Sequence, residues 1–295
     1  FHTKANALNG DAMKILEESV ERLESDDYQG LVVYNEAMNF SAGADLNTMI
    51  DLADQSDWKG IDKYLSHFQQ VCKKMKYTSK PTISAVGGLA IGGGFEVACQ
   101  TSRMVAHMNS TLGLVETGVG LVPGGGGNKE LLWRWVQDPE FAKDHDEAAL
   151  RVFDIIGYGL MAHSPIQAKK HKFFLSDDVM VLNRDNLLAE AFNQVAKLKE
   201  GYKSPDMPKF CLSGSEVKEK MHQHLLDLEK KSIIFGYDVE IGLHLANVLS
   251  GGDTDKSKTL SENDLYHLER QSLINLIQSK KTRDRIHAML LNGRR

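Results

Sequence analysis

Two glycine clusters constrain the fold of this chain most, because each stands between an apolar run and a helix-like segment. Residues 92–94 precede the helical pattern of residues 95–99, and residues 124–127 follow Val122-Pro123 before another helical pattern. A glycine-rich turn at a helix N-terminus presents backbone N–H groups that have no partner within the helix. Such turns favour either an anion-binding loop or close packing of a helix on a strand. The spacing alone leaves both interpretations open.

Neither cluster has the sequence of a phosphate-binding loop. A dinucleotide fingerprint needs Gly-x-Gly-x-x-Gly, and the candidate that begins at Gly118 has Pro123 in the last position. A P-loop needs Gly-Lys-Ser/Thr, whereas Gly127 is followed by Asn128. With both phosphate-binding motifs set aside, the remaining anion-binding interpretation is an oxyanion hole, in which backbone N–H groups bind a thioester or acyl oxygen. Each backbone donor to such an oxygen contributes roughly 2.7–4 kcal/mol to catalysis.

Short apolar runs alternate with helical patterns over the N-terminal half. Asn9 is predicted to cap a helix whose apolar residues recur at three- and four-residue steps. Buried strands are predicted at residues 30–34, 82–86 and 104–107, with a helix-prone stretch over residues 45–76. This alternation predicts an α/β fold.

Beyond about residue 139 the regular segments all have a helical pattern. The predicted helices cover residues 146–160, 164–172, 184–200, 215–231, 234–249, 261–279 and 282–291. The sequence therefore predicts an α/β core over residues 1–165 and a helical region over residues 166–295.

Composition excludes several classes of protein and of partner. The 295 residues carry a net charge of −5 with 42% hydrophobic residues, which is typical of a globular chain rather than a disordered one. The lack of a basic excess argues against nucleic acid as the main partner. The sequence contains no run of eighteen apolar residues and therefore predicts no membrane span.

The cysteines and histidines predict no metal site. Cys72, Cys99 and Cys211 are too widely spaced for a disulfide framework or zinc cluster, and they favour a reducing, cytoplasmic setting. His222 and His224 stand two positions apart, where side chains on a helix diverge, and no third ligand has a suitable spacing.

Two glutamates stand beside the glycine clusters. Glu96 lies three residues after Gly93 among apolar neighbours, and Glu116 lies twenty residues further along the chain. Most glutamates are solvated surface charges, and this interpretation is open for either residue alone. Two carboxylates at one glycine-lined site could instead divide the roles of acid and base.

Four segments in order carry a resemblance to a known family. Residues 6–9, 40–46, 80–96 and 114–126 resemble the signatures of the crotonase (enoyl-CoA hydratase/isomerase) family. The resemblance implies a spiral of strand–strand–helix turns followed by a helical C-terminal region. The opening residues and the tail around residues 249–253 further resemble one subgroup, the bacterial multifunctional 3-hydroxyacyl-CoA dehydrogenases, in which a hydratase-like region follows the dehydrogenase domains.

The resemblance assigns catalytic roles to four positions. The backbone N–H groups of Ala44 and Gly93 would form the oxyanion hole for the thioester oxygen of an acyl-CoA. Glu96 and Glu116 match the two catalytic glutamates of hydratases. Isomerases of the family typically keep only the carboxylate that matches Glu116, so the presence of both favours hydration.

The resemblance also assigns substrate-binding positions and shows departures. The Ala42 backbone would contact the adenine of CoA, Asp45 belongs to the same loop, and Gly124 would help to position the reacting water. Asn47 replaces a lysine that many members place near the CoA phosphates, and Lys172 occupies a position that is usually glycine.

These observations imply an enoyl-CoA hydratase module of fatty-acid β-oxidation. A Δ3-Δ2-enoyl-CoA isomerase and a catalytically silent acyl-CoA-binding or docking module are the alternatives. We expect no cofactor besides the CoA of the substrate, with NAD used only by dehydrogenase domains that this sequence does not contain. Those domains and further copies of the chain are the expected partners. The chain begins at Phe1 rather than Met, so we expect a piece of a longer protein whose first core strand precedes it.

Overall fold

Helix α1 (Gly10–Ser25) shows how the local sequence sets the first long element. In the computed structural model, which describes residues 3–292, Asn9 caps this helix by accepting a hydrogen bond from the Ala12 N–H at 3.0 Å. The apolar residues at three- and four-residue steps are buried, as the pattern predicts. Phe1 and His2 of the opening motif lie outside the described residues.

The other elements follow the predicted alternation closely. The remaining helices are α2 (Leu46–Asp54), α3 (Trp58–Tyr77), α4 (Gly93–Ala98), α5 (Gly127–Val136), α6 (His145–Gly157), α7 (Pro165–Ala168), α8 (Leu187–Leu198), α9 (Ser215–Lys230), α10 (Gly236–Leu249), α11 (Glu262–Gln278) and α12 (Lys280–Asn292). The strands are β1 (Leu31–Val33), β2 (Thr82–Val86), β3 (Leu89–Ile91), β4 (Arg103–His107), β5 (Thr111–Gly113), β6 (Met161–Ala162), β7 (Val179–Val181), β8 (Lys209–Phe210) and β9 (Leu260–Ser261). Short 3₁₀ turns cover Lys4–Asn6, Glu116–Val119, Lys169–His171 and Arg184–Asn186.

The chain forms two compact units that interleave along the sequence. Unit 1 comprises Phe1–Asp45, Ser66–Leu114 and Met161–Asp206. Unit 2 comprises Leu46–Leu65, Val115–Leu160 and Met207–Arg295. The division of the sequence into regions 1–165 and 166–295 stays a prediction.

Unit 1 is built on a parallel sheet with strand order β1-β2-β4-β7. Every residue of the central strand β2 is buried, as expected for a strand covered on both faces. Helix α8 packs Leu187, Ala191 and Val195 against Ile83 and Val105 of this sheet. A second sheet, with order β3-β5-β6, completes this unit and confirms the α/β class.

Unit 2 is mainly helical and is organised around α10. This helix packs against α5, α6, α9 and α11, and its apolar residues are buried on several sides. Gly242 permits close contact with α9, because a Cβ there would lie 2.5 Å from Leu225 Cδ2. The antiparallel pair β8–β9 also belongs to this unit.

The structure corrects the prediction that all regular segments beyond residue 139 are helical. Four short strands lie there, and β7 is an outer strand of the main parallel sheet. Its central residue, Met180, is 36% exposed while the flanking valines are half-buried. Three residues with this burial are too few to show the period-two alternation by which a strand is recognised.

Lys172 ends the 3₁₀ turn Lys169–His171 in the left-handed conformation, with φ of +55°. Its backbone N–H donates to the Lys169 carbonyl, which closes the turn. Glycine is preferred at such a position because it has no Cβ to clash in the left-handed region. The family preference for glycine here therefore has a conformational cause.

We expect Lys172→Gly to stabilise the protein by roughly 0.5–1 kcal/mol, since relief of left-handed strain exceeds the extra entropy of glycine in the unfolded chain. The midpoint of urea unfolding measures this change. Lys170→Gly is the matched control, because Lys170 lies in the same turn without a positive φ and should lose stability. A lower midpoint for Lys172→Gly would contradict the assignment of strain.

Candidate active site

The loop that carries Ala42, Ala44 and Asp45 is fixed to the second sheet of unit 1. Ser41 N–H donates to the Leu89 carbonyl at 2.9 Å, and Ile91 N–H donates to the Ser41 carbonyl at 3.2 Å. The Ser41 hydroxyl accepts from Gly43 N–H at 3.2 Å. Gly43 has φ of +116°, which favours glycine and turns the chain sharply. The loop is therefore held by backbone bonds rather than by side-chain packing alone.

A backbone bridge to Leu8 sets the direction of the Ala44 amide. Leu8 N–H donates to the Gly43 carbonyl at 2.8 Å, and Asp45 N–H donates to the Leu8 carbonyl at 2.9 Å. Gly43 and Asp45 both bond to Leu8 in this parallel pairing, so Ala44, which lies between them, directs its own N–H to the opposite side of the loop. The Ala44 N–H consequently faces away from Leu8.

Gly93 lies close to the Ala44 nitrogen. It is the first residue of α4, after Gly92 with φ of +53°, so its N–H belongs to the first turn and has no partner within the helix. A Cβ placed on Gly93 would lie 2.8 Å from the Ala44 nitrogen. A Cβ on the next residue, Gly94, would lie 2.4 Å from the Ser41 carbonyl oxygen. Only glycines allow this close approach of α4 to the loop.

The structure thus brings the backbone of Ala44 and Gly93 close together. Two backbone donors fixed in this way, at the N-terminus of a helix, suit an oxygen on which negative charge develops. Their role as an oxyanion hole stays a prediction.

Glu96 is placed on the same helix as Gly93. Residues three apart lie on neighbouring positions of one helix face. Glu96 is 4% exposed, and its neighbour Phe95 packs edge-to-face on Phe173 with ring centroids 5.0 Å apart. The structure therefore excludes a solvated surface position for Glu96. A carboxylate buried beside backbone donors is a candidate for proton transfer.

The two predicted CoA-binding residues of the loop are held by their backbones. Ala42 N–H donates to the Ala5 carbonyl at 3.1 Å, so a ligand contact by this backbone would use the Ala42 carbonyl oxygen. Asp45 has a half-buried side chain, and its N–H is bonded to Leu8.

Glu116 and Gly124 belong to unit 2. Glu116 begins the 3₁₀ turn Glu116–Val119, which ends at Gly120 in the left-handed conformation with φ of +84°. Thr282 donates from Oγ1 to the Gly120 carbonyl at 2.7 Å. Sequence reasoning missed this contact, because 162 residues separate the two partners and no local pattern signals it.

Gly124 packs against α11. A Cβ there would lie 2.5 Å from Leu273 Cδ1 and 3.3 Å from Leu65 Cδ2. Glycine at this position therefore has a packing reason as well as the predicted role of its amide. That role stays a prediction.

The two histidines that stand two positions apart, His222 and His224, have separate acidic neighbours. Among residues 3–292 no cluster of three His, Cys, Asp or Glu side chains could hold a metal ion. His222 pairs with Glu219 at 3.8 Å, whereas His224 contacts Asp154 at 3.5 Å, so the two rings diverge as expected. In the same part of the chain, no helix combines the length and the apolar character needed to cross a bilayer.

Comparison with known sequences supports the resemblance. The sequence profile described as Enoyl-CoA hydratase/isomerase matches residues 2–137, which is less than half of the chain. Residues 2–137 are thus similar to the enoyl-CoA hydratase/isomerase family. This segment contains every residue to which the resemblance assigned a role, including Glu116 and Gly124 of unit 2.

Two curated relatives show how this family segment occurs in longer chains. A protein of Bacillus subtilis named "Probable 3-hydroxyacyl-CoA dehydrogenase" is 30% identical over 295 residues, which is 100% of this chain and 37% of the relative. The human mitochondrial methylglutaconyl-CoA hydratase is 33% identical over 128 residues, which is 43% of this chain and 37% of that protein. The chain thus spans little more than a third of either relative.

Solved structures confirm the predicted crotonase fold. The crystal structure of enoyl-CoA hydratase from Bacillus halodurans aligns with a TM-score of 0.62 at 16% identity, over 97% of this chain and 92% of that one. A structure of Pseudomonas aeruginosa DspI aligns with a TM-score of 0.55 at 25% identity, over 66% of this chain. The Bacillus halodurans likeness, at its low identity, shows the fold alone.

Proposed function

We propose that this chain is an enoyl-CoA hydratase module that adds water across the 2,3 double bond of 2-enoyl-CoA thioesters. The observation that carries the proposal is the placement of Glu96. It is buried on the helix whose first residue, Gly93, meets the backbone of Ala44. Backbone donors for a thioester oxygen and a carboxylate on one short helix are what hydration of a conjugated thioester requires.

The chemistry assigns a task to each group. The water oxygen bonds to C3, the double-bond electrons move toward C2, and enolate charge develops on the thioester oxygen. Hydrogen bonds from the Ala44 and Gly93 amides stabilise that charge. Glu96 takes the proton that the water loses, and Glu116 donates a proton to C2. Glu96 then loses its extra proton to solvent and Glu116 takes one up, which restores the starting state.

We infer that the chain acts together with 3-hydroxyacyl-CoA dehydrogenase domains in fatty-acid β-oxidation. The match to the Bacillus subtilis relative, which covers 100% of this chain and 37% of the relative, supports this inference. NAD would then be used by those domains, and the hydratase step would need no cofactor of its own. The three cysteines form no disulfide with one another, which fits the proposed cytoplasmic setting. A homo-oligomer is part of the same proposal.

Loss of the enoyl-thioester absorbance of crotonyl-CoA tests the proposed function. We expect Glu96→Gln and Glu116→Gln each to lower kcat by about 10²–10⁴-fold, the contribution typical of a positioned acid or base. Glu18→Gln is a matched control, because Glu18 is exposed on α1 and makes only a 3.9 Å pair with Lys14. Its rate should equal that of the unaltered protein.

Other outcomes identify the alternatives. Turnover of a 3-enoyl-CoA that survives Glu96→Gln would instead establish an isomerase, which needs only the carboxylate at Glu116. Binding of acyl-CoA with no turnover above that of a Glu96→Gln, Glu116→Gln double variant would establish a silent docking module. Either result contradicts the hydratase proposal.

A further inference from the structure

The turn that carries Glu116 is short and is held at several backbone positions within unit 2. Gly120 N–H donates to the Thr117 carbonyl at 3.1 Å, and Leu121 N–H donates to the Glu116 carbonyl at 3.0 Å. The Thr117 hydroxyl donates to the Ile156 carbonyl of α6 at 3.1 Å. A single 3₁₀ turn has poorer hydrogen-bond geometry than an α-helix and is easily rearranged. Its fixed position depends on contacts with other elements.

A buried pair of hydroxyl groups holds the end of this turn. Thr282 of α12 donates to the Gly120 carbonyl at 2.7 Å, and the Tyr237 Oη of α10 lies 2.6 Å from Thr282 Oγ1. A hydroxyl has one proton to donate. Since Thr282 gives its proton to Gly120, Tyr237 must donate to Thr282. The chain of donors runs in one direction, from Tyr237 through Thr282 to Gly120.

Packing leaves little freedom around this chain of hydroxyls. Thr282 is fully buried, and a Cβ on Gly120 would lie 3.1 Å from its Oγ1 and 3.3 Å from its Cα. The Tyr237 ring lies beneath Lys281 Nζ at 5.0 Å and the Arg285 guanidinium at 5.2 Å. Arg285 in turn donates to Asp238 at 2.8 Å. These contacts fix the ring from which the first donor comes.

We propose that Thr282 and Tyr237 are positioning residues for Glu116, so that helices α10 and α12 set the geometry of a carboxylate in the family segment. The proposal rests on the proposed function. Both residues lie outside residues 2–137, and both act through the Gly120 carbonyl rather than on the substrate. A displacement of about 1 Å at a reacting group can cost on the order of 10²-fold in rate.

The experiment compares Thr282→Val, Thr282→Ser and Tyr237→Phe in crotonyl-CoA hydration. We expect Thr282→Val to lower kcat by about 10- to 100-fold with KM changed less than about 3-fold. Thr282→Ser keeps the hydroxyl and should restore most of kcat. Tyr237→Phe leaves the hydrogen bond from Thr282 to Gly120 in place, so its decrease in kcat should be smaller than that of Thr282→Val.

Thr82→Val is the control for loss of a buried threonine hydroxyl, because Thr82 is fully buried in β2 of unit 1. It should lose stability without a comparable fall in kcat. Equal kcat values for Thr82→Val and Thr282→Val would overturn the positioning role. So would a Thr282→Val protein with unchanged kcat.

Hydrogen exchange at residues 116–121 separates this proposal from the proposed function. The amides of Gly120 and Leu121 should exchange faster in Thr282→Val than in Thr282→Ser, whether or not the protein hydrates crotonyl-CoA. Inactivity of the unaltered protein toward crotonyl-CoA would reject the proposed hydratase function but not the positioning role. Unchanged exchange in Thr282→Val would reject the positioning role.

Discussion

Gly93→Ala is expected to lower kcat/KM for crotonyl-CoA by about 10²–10³-fold, the cost of losing one donor to an oxyanion. The new methyl carbon would lie 2.8 Å from the Ala44 nitrogen and 3.4 Å from the Gly43 carbonyl carbon. Both neighbours are backbone atoms of a segment that Gly43 and Asp45 tie to Leu8, so they cannot give way as a flexible side chain would. The added group therefore covers one predicted donor and displaces the other.

Gly10→Ala is the matched control for this change. Gly10 is also the first residue of a helix in unit 1, and a Cβ there would meet no atom within 4 Å. Alanine has a higher helix propensity than glycine, so this variant should fold at least as well and keep the full rate. Circular dichroism compares the folding of the two variants before their rates are compared.

A second measurement does not depend on turnover. A conjugated acyl-CoA analogue whose carbonyl accepts hydrogen bonds from two amides should show a red-shifted absorbance when bound. Gly93→Ala should remove that shift, while Gly10→Ala should keep it. A folded Gly93→Ala protein with the full rate and the full shift would show that the Ala44 and Gly93 amides do not bind the thioester oxygen.

The features of the fold and of the candidate site that the sequence predicts are those determined by short segments of the chain. The Asn9 cap, strand β2 and the helix after each glycine cluster lie where the local patterns place them. Cap chemistry, period and glycine turns act within a few residues, so a single sequence contains their signals. The family signatures work in the same way, since each spans fewer than twenty residues.

The contacts that span the sequence could not be predicted in this way. Strand β7 pairs with β4 through Val105 and Val179, and three residues show no strand period. The bond from Thr282 to Gly120 joins positions 162 residues apart. Such pairs depend on how elements pack, and a single amino-acid sequence gives no record of them.

A buried charged network in unit 2 is a feature that no sequence pattern predicted. Lys129 of α5 is fully buried, and its Nζ lies 3.1 Å from Glu130 Oε2 and 3.4 Å from Glu262 Oε2. The backbone N–H of Lys129 donates to Glu269 Oε1 of α11 at 2.9 Å. The ammonium also lies 4.9 Å from the centre of the Tyr266 ring. Charge, hydrogen bonds and ring contact thus tie α5, and with it the end of the Gly124 loop, to α11.

We expect Lys129→Met to lower the free energy of unfolding by about 3–5 kcal/mol, because it removes one partner of a buried ion pair with Glu130 and Glu262. Lys280→Met is the control. Lys280 forms a 2.7 Å pair with Asp284 on α12, but it is 79% exposed, and surface pairs of this kind contribute about 0–1 kcal/mol. The contrast separates the effect of burial from that of pairing.

Tryptophan fluorescence during urea unfolding measures this loss in the right part of the molecule, because all three tryptophans, Trp58, Trp133 and Trp135, belong to unit 2. Adding Glu262→Gln to Lys129→Met should recover part of the lost stability, since one of the stranded anions becomes neutral. A destabilisation below about 1 kcal/mol, or none recovered in the double variant, would mean that packing rather than charge holds α5 to α11. In that case the ion pairs around Lys129 would be a consequence of the fold and not one of its causes.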